Sequence, residues 1–113
     1  MTAPMASDLR TVMVTAPDAG TAESLARAVV GERLAACVNL VPGVVSVYRW
    51  EGAVHRDEEI LLVLKTTAER VEALRERVVA LHPYDVPEVL VLTVAEAHEP
   101  YRAWVQDQVQ VDA

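Results

Sequence analysis

Apolar positions along the chain recur with two periods, and the switches between them mark the elements. Leu9–Ala16 is rich in β-formers and stops at Pro17-Asp18, which predicts a first strand. Asp18 is placed to accept hydrogen bonds from the free N–H groups opening a helix. Ala22, Leu25, Ala26, Val29 and Val30 then recur at helical spacing, with Glu23, Arg27 and Glu32 elsewhere on the surface. From Leu34 to Thr66 the pattern is that of two long strands, kinked at Pro42-Gly43 and joined by a turn at Glu51-Gly52. Thr66-Thr67-Ala68-Glu69 has capping-box spacing, and Val71, Leu74, Val78 and Leu81 form the apolar stripe of a second helix that Pro83 stops. Val89–Val94 reads as a fourth strand. Pro100 opens a last helix carrying Tyr101, Trp104, Val105 and Val109 on one side.

The order β-α-β-β-α-β plus a terminal helix is the split βαβ arrangement. It predicts an α+β, ferredoxin-like domain spanning residues 1–113, with two helices on one face of a four-stranded antiparallel sheet. The run Ile60–Leu64 is apolar at every position, so both faces of that strand shun water. Helices from so short a chain can cover one face only. The other face, carrying residues of Ile60–Leu64 and Val89–Leu92, calls for a second copy of the chain.

Composition strengthens that reading and removes others. The chain of 113 residues is 52% hydrophobic without a single Phe, so its core is built from Val, Leu, Ala and Ile. A net charge of −7 speaks against nucleic acid and anionic membranes, whose phosphates select basic surfaces. Met1–Ser7 is too short and uncharged for a signal peptide, and no apolar run suits a membrane span, so a cytoplasmic setting is expected. The lone Cys37 cannot form an internal disulfide; it sits in an apolar run without a basic neighbour, which makes it a core residue rather than a nucleophile.

Five stretches carry a specific likeness. Thr15-Ala16-Pro17-Asp18, Leu34–Asn39, Tyr48-Arg49-Trp50-Glu51-Gly52, Leu64-Lys65-Thr66-Thr67 and His82–Glu88 resemble the CutA family of divalent-cation tolerance proteins, in the right order over nearly the whole chain. The resemblance implies a ferredoxin-like subunit in a homotrimer similar to the PII-type signalling proteins, a link to copper tolerance, and no established reaction. It also implies copper ligands in the best-known bacterial members: a cysteine in the first strand and two adjacent histidines before Pro-Tyr. Val14 and Leu81 stand at two of those positions, leaving His82 as the matched metal ligand. No cofactor is required on this reading, and copper or zinc binding is expected to be weak.

Candidate sites divide between chemistry and architecture. Pro83 and Pro87 stiffen the hook His82–Glu88, which can aim His82, Tyr84, Asp85 and Glu88 at a ligand or serve as a rigid connector with a histidine at a helix end. Lys65, the only lysine, shares a pleat face with Glu59 but lies roughly 20 Å away along the strand. Each therefore needs another partner, either in an inter-subunit ion pair or, for Lys65, on an anionic ligand. Trp50 and Trp104 line such a cleft or pack at the interface. His55 and His98 lie among carboxylates and read as surface residues. The ligand set of an inter-subunit cleft is thus Trp50, Glu59, Lys65, Tyr84 and Glu88. Three functions remain open: a trimeric binding or signalling protein for a divalent cation or small molecule, an enzyme using His82, Tyr84, Glu88 and Lys65, or a structural trimeric scaffold. Walker, G-x-S-x-G, G-x-G-x-x-G and His-Glu-x-x-His patterns do not occur.

Overall fold

The structure is a computed structural model that describes residues 7–111. Its elements are β1 (Leu9–Ala16), α1 (Ala19–Gly31), β2 (Cys37–Trp50), β3 (Ala53–Thr67), α2 (Val71–Leu81), β4 (Val89–Thr93) and α3 (Glu99–Val109), with a 3-10 turn at Ala68–Arg70 ahead of α2. The sheet is antiparallel throughout in the order β2-β3-β1-β4. This is the predicted α+β, ferredoxin-like architecture. The expectation for Met1–Ala6 lies outside the described residues.

Local chemistry sets the ends of α1. The Asp18 carboxylate accepts from the Thr21 N–H at 2.7 Å, and that bond holds its pKa below the usual carboxylate range. At the other end, Leu34 N–H donates to Val29 O and Arg33 N–H to Val30 O, closing a Schellman motif. Arg33 occupies the left-handed position there, with φ of 59°, where glycine is the usual choice. Val29 and Leu34 are both buried and supply the apolar contact that accompanies this cap.

The capping box expected at Thr66–Glu69 does not form. β3 runs through Thr67, and Thr66 is fully buried within it, its hydroxyl donating to Leu34 O at 2.8 Å. Thr67 makes no side-chain cap bond, and a 3-10 turn intervenes before α2. Thr66 is thus committed to holding the α1–β2 connection against β3.

Two clusters form the core. Val12, Val14 and Ala16 of β1 and Leu62 and Leu64 of β3 pack beneath Ala22, Leu25, Val29, Leu74 and Val78 of the first two helices. Val30 and Leu81, assigned to the apolar stripes by their spacing, are exposed. On the other side, Val105 and Val109 of α3 pack against Leu9 and Ala36. Leu9 is on the opposite pleat from Val12 and Val14, so α3 shields one end of the second face. The rest of that face stays open. Leu90 and Leu92 of β4 and Val41 of β2 are exposed along it.

β1 pairs with β3 only as far as Ala16 opposite Ile60. Beyond that point, β2 and β3 continue as a two-stranded ribbon from Val44 opposite Glu59 to Trp50 opposite Ala53. Glu51 and Gly52 both have positive φ, at 49° and 80°, as a two-residue turn matched to strand twist requires. Pro42 and Gly43 stand together opposite Ile60 as a bulge, with Gly43 at φ of 77°. The bulge adds one residue and so reverses which β2 side chains share a face with β3. It is the reason Tyr48 and Trp50 share a face with Asp57 and Glu59.

Candidate functional site

The ribbon leaves β1 behind, and the hook between α2 and β4 fills the vacancy. His82 is buried at the end of α2, with its Nε2–H donating to Thr15 O at 2.7 Å and its Nδ1 accepting from the Tyr84 N–H at 3.1 Å. A carbonyl can only accept and an amide can only donate, so these partners select the Nε2–H tautomer. The ring of Tyr84 packs against that imidazole, 4.7 Å between centroids. Its hydroxyl reaches across to the ribbon and donates to Glu59 Oε2 at 2.9 Å. Burial, reinforced by the Glu59 hydrogen bond, pushes the Tyr84 phenol up to about 12.

Around this bridge opens a cleft of about 750 Å³, bounded by Tyr48, Trp50, Glu59, Tyr84, Asp85 and Glu88 among others. Tyr48 donates a hydrogen bond to Asp57 and stacks on His55 at 5.5 Å. The Asp57 bond, with burial behind it, raises the Tyr48 phenol as well. Neither tyrosine is poised to ionise near neutrality, so both act as neutral donors to carboxylates.

Of the ligand set expected from sequence, Trp50, Glu59, Tyr84 and Glu88 come together here. Lys65 does not line this cleft. It lies near the other end of β3, opposite Cys37, and donates to Asn39 Oδ1 of the neighbouring strand. Trp104 is on α3, tilted against Tyr101 at 5.7 Å, remote from Trp50 in the fold. Tyr101 also approaches Cys37 Sγ at 3.5 Å, which together with burial pushes its phenol up to about 12. Cys37 itself is half-buried at the start of β2 rather than sealed in the core.

Tyr48 and Asp57 were not among the expected site residues. The signal that finds them is the register counted outward from Glu51-Gly52: Trp50 opposite Ala53, Tyr48 opposite His55, Ser46 opposite Asp57. Tyr48 and Asp57 are then diagonal neighbours on one face.

The arrangement does not make a resident divalent-metal centre at His82. Its two ring nitrogens are both engaged within the chain, so ligation there would break the Tyr84 N–H bond. Val14 is sealed in the core and Leu81 carries no donor. Among the described residues, no three His, Cys, Asp or Glu side chains stand close enough to share an ion.

Comparison with known proteins agrees with the fold and with the motifs. The family model for the CutA1 divalent ion tolerance protein matches residues 10–108. The divalent-cation tolerance protein CutA of Thermus thermophilus is 50% identical over 96 residues, which are 85% of this chain and 93% of that protein. The human protein CutA is 46% identical over 93 residues, covering 82% of this chain but 52% of its own length. Among solved structures, CutA from Xylella fastidiosa superposes with a TM-score of 0.90 at 41% identity, covering 92% of this chain and all of that one (100%). The Thermus thermophilus structure gives 0.88 at 47% identity, covering 90% and 99%. With one family model spanning almost every element and relatives near half identity, the chain belongs to the CutA1 divalent ion tolerance family.

Proposed function

We propose that the chain is a homotrimeric binding protein with no reaction of its own, whose ligand site is the cleft between the root of the β2–β3 ribbon and the 82–88 hook. The observation that carries this reading is Glu59: a carboxylate only 8% exposed that faces a cleft wide enough for a small molecule. Oligomerisation is supported by the apolar residues left exposed on the open face and on the ribbon, among them Leu90, Leu92, Val47 and Val54. The family's tolerance role and its solved relatives agree with a binding protein. Divalent cations are held weakly, drawn by a net charge of −7 per chain rather than by a dedicated ligand set.

An enzyme using His82, Tyr84, Glu88 and Lys65 draws less support. His82 has neither ring nitrogen free for proton transfer, and Lys65 is tied to Asn39 away from the cleft. The test is a ligand screen read by thermal shift and by Trp50 fluorescence in a Trp104→Phe background, with each hit then followed for turnover. A saturable hit that quenches Trp50 and is recovered unchanged is the expected result. Conversion of the hit, or no response from Trp50 to any compound class, would overturn the reading.

A further inference from the structure

Two opposite charges on one pleat of β3 have no counterpart within the chain. Leu62 and Leu64 face the helices, so the alternate residues Glu59, Leu61, Val63 and Lys65 share the opposite side. Glu59 is buried at the start of this row, where its Oε2 accepts from Tyr84. It has no ion-pair partner among the described residues, and no side chain bounding its cleft is a lysine, arginine or histidine. Lys65 is half-buried at the far end of the row and donates to Asn39, a neutral acceptor. Across the sheet Lys65 stands between Cys37 and Thr11, with Leu92 beyond, so no carboxylate lies beside it in register. Six residues of strand keep Glu59 and Lys65 roughly 20 Å apart, too far to meet within one chain. Withdrawing either charge from water is costly unless an opposite charge stands next to it.

We infer that Glu59 pairs with Lys65 of the partner subunit, so that each cleft is completed by an ammonium group from a neighbouring copy of the chain. The inference rests on the trimeric binding reading above and names the residue by which one copy completes the site of another. The open face carries an acid at one end, a base at the other and apolar side chains between them. In a rotational ring, one part of a subunit's surface meets a different part of the next subunit. Unlike ends of the face are then brought together, and every Glu59 meets a lysine. Arg49 and Arg56 fit the role less well. They pair with Val54 and Val47 on the other side of the ribbon from Glu59, and both are exposed, so water already solvates them. A withdrawn ion pair adds little net stability over apolar packing, but stranding one partner is costly, so the pair dictates which ends meet. Assembly and the cleft are thereby linked through one contact.

The experiment uses the full chain in its native assembly and compares wild type with Glu59→Gln, Lys65→Met and the double variant. Glu59→Gln keeps an acceptor for Tyr84, and Lys65→Met keeps the apolar stem, so each removes a charge with little change of shape. Light scattering in a urea series should show each single variant dissociating at lower urea than wild type. The double variant should dissociate no earlier than the worse single variant, because it strands neither charge. A carbodiimide, which condenses a carboxylate with an amine it touches, then locates the contact in the wild type, since Lys65 is the only lysine. Mass spectrometry of covalently linked chains should find Lys65 joined to Glu59, and Lys65→Arg should keep the assembly and lose that link. Losses that simply add in the double variant overturn the inference. So does the absence of a Lys65–Glu59 link between chains, or a link from Lys65 to another carboxylate in its place. In those cases the ligand-binding reading stands, because the trimer and its cleft remain. A wild-type chain that runs as a monomer overturns the inference and the trimeric reading together.

Discussion

Apolar residues at the two ends of β3 meet opposite fates. Leu62 and Leu64, near its end, lie sealed between β1 and two helices, both with no exposed surface. Val54, near its start, and Val47, its diagonal neighbour on β2, are about two-thirds exposed, at 65% and 67%. Both stretches pair into the same ladder with regular register, so backbone pairing does not require burial. What separates them is what lies over the sheet. The covered half is complete within one chain, whereas the ribbon and the open face expose apolar area that a monomer seldom presents.

That contrast is best broken by truncating one residue in each region. Leu64→Ala should cost about 3 kcal/mol in denaturant unfolding, through lost transfer energy and the cavity left behind, at every protein concentration. Val47→Ala should cost the chain itself under about 0.5 kcal/mol. Its effect should instead appear as a weakened assembly at low protein concentration. A large, concentration-independent loss for Val47→Ala would show that the ribbon is as much a part of the monomer core as Leu64.

At the seam between the two regions, His82→Ala should cost about 2 kcal/mol, because it strands the Thr15 carbonyl and the Tyr84 amide. Copper and zinc affinities, followed by calorimetry, should hardly change in that variant. A collapse of metal binding on removing the imidazole would instead make His82 a ligand. At the tip of the ribbon, Gly52→Ala should cost about 1 kcal/mol, since a φ of 80° suits glycine. Chemical denaturation checks this, and an unchanged midpoint would mean that the turn relaxes without penalty.

The smallest effect is one of pH. Tyr84 has its phenol raised to about 12, first by burial and then by the Glu59 hydrogen bond, against an ordinary value of 10.0. The folded state therefore holds this proton more tightly than the unfolded chain does. The resulting stability is present in full below pH 10 and is lost as pH rises toward 12. Tyr84→Phe should flatten that part of the stability profile and remove one late phenol from the ultraviolet titration. An identical profile in the variant would place the alkaline loss elsewhere, for instance at Tyr101.

Much of the fold could be read because it is local or periodic. β1 from Leu9 to Ala16 and the cap at Asp18 follow from residue types within a few positions of one another. The capping box at Thr66 did not materialise because β3 and the Leu34 carbonyl compete for the same hydroxyl, which is a tertiary effect. The cleft was half legible. The prolines of the hook singled out Tyr84 and Glu88, and the aromatic at Trp50 suggested a wall. Tyr48 and Asp57 escaped because their meeting depends on the strand register, and Lys65 was drawn in by its rarity rather than by its position.

The reading that other copies of the chain complete the ribbon and the open face is tested most directly by the mass in solution. Light scattering on a sizing column at micromolar concentration should give about three times the 12.4 kDa of one chain. Val47→Asp should lower that mass while leaving the circular dichroism of the covered half intact. A wild-type chain that runs as a monomer under these conditions would contradict the proposed assembly, and the exposed valines of the ribbon would then need a different partner.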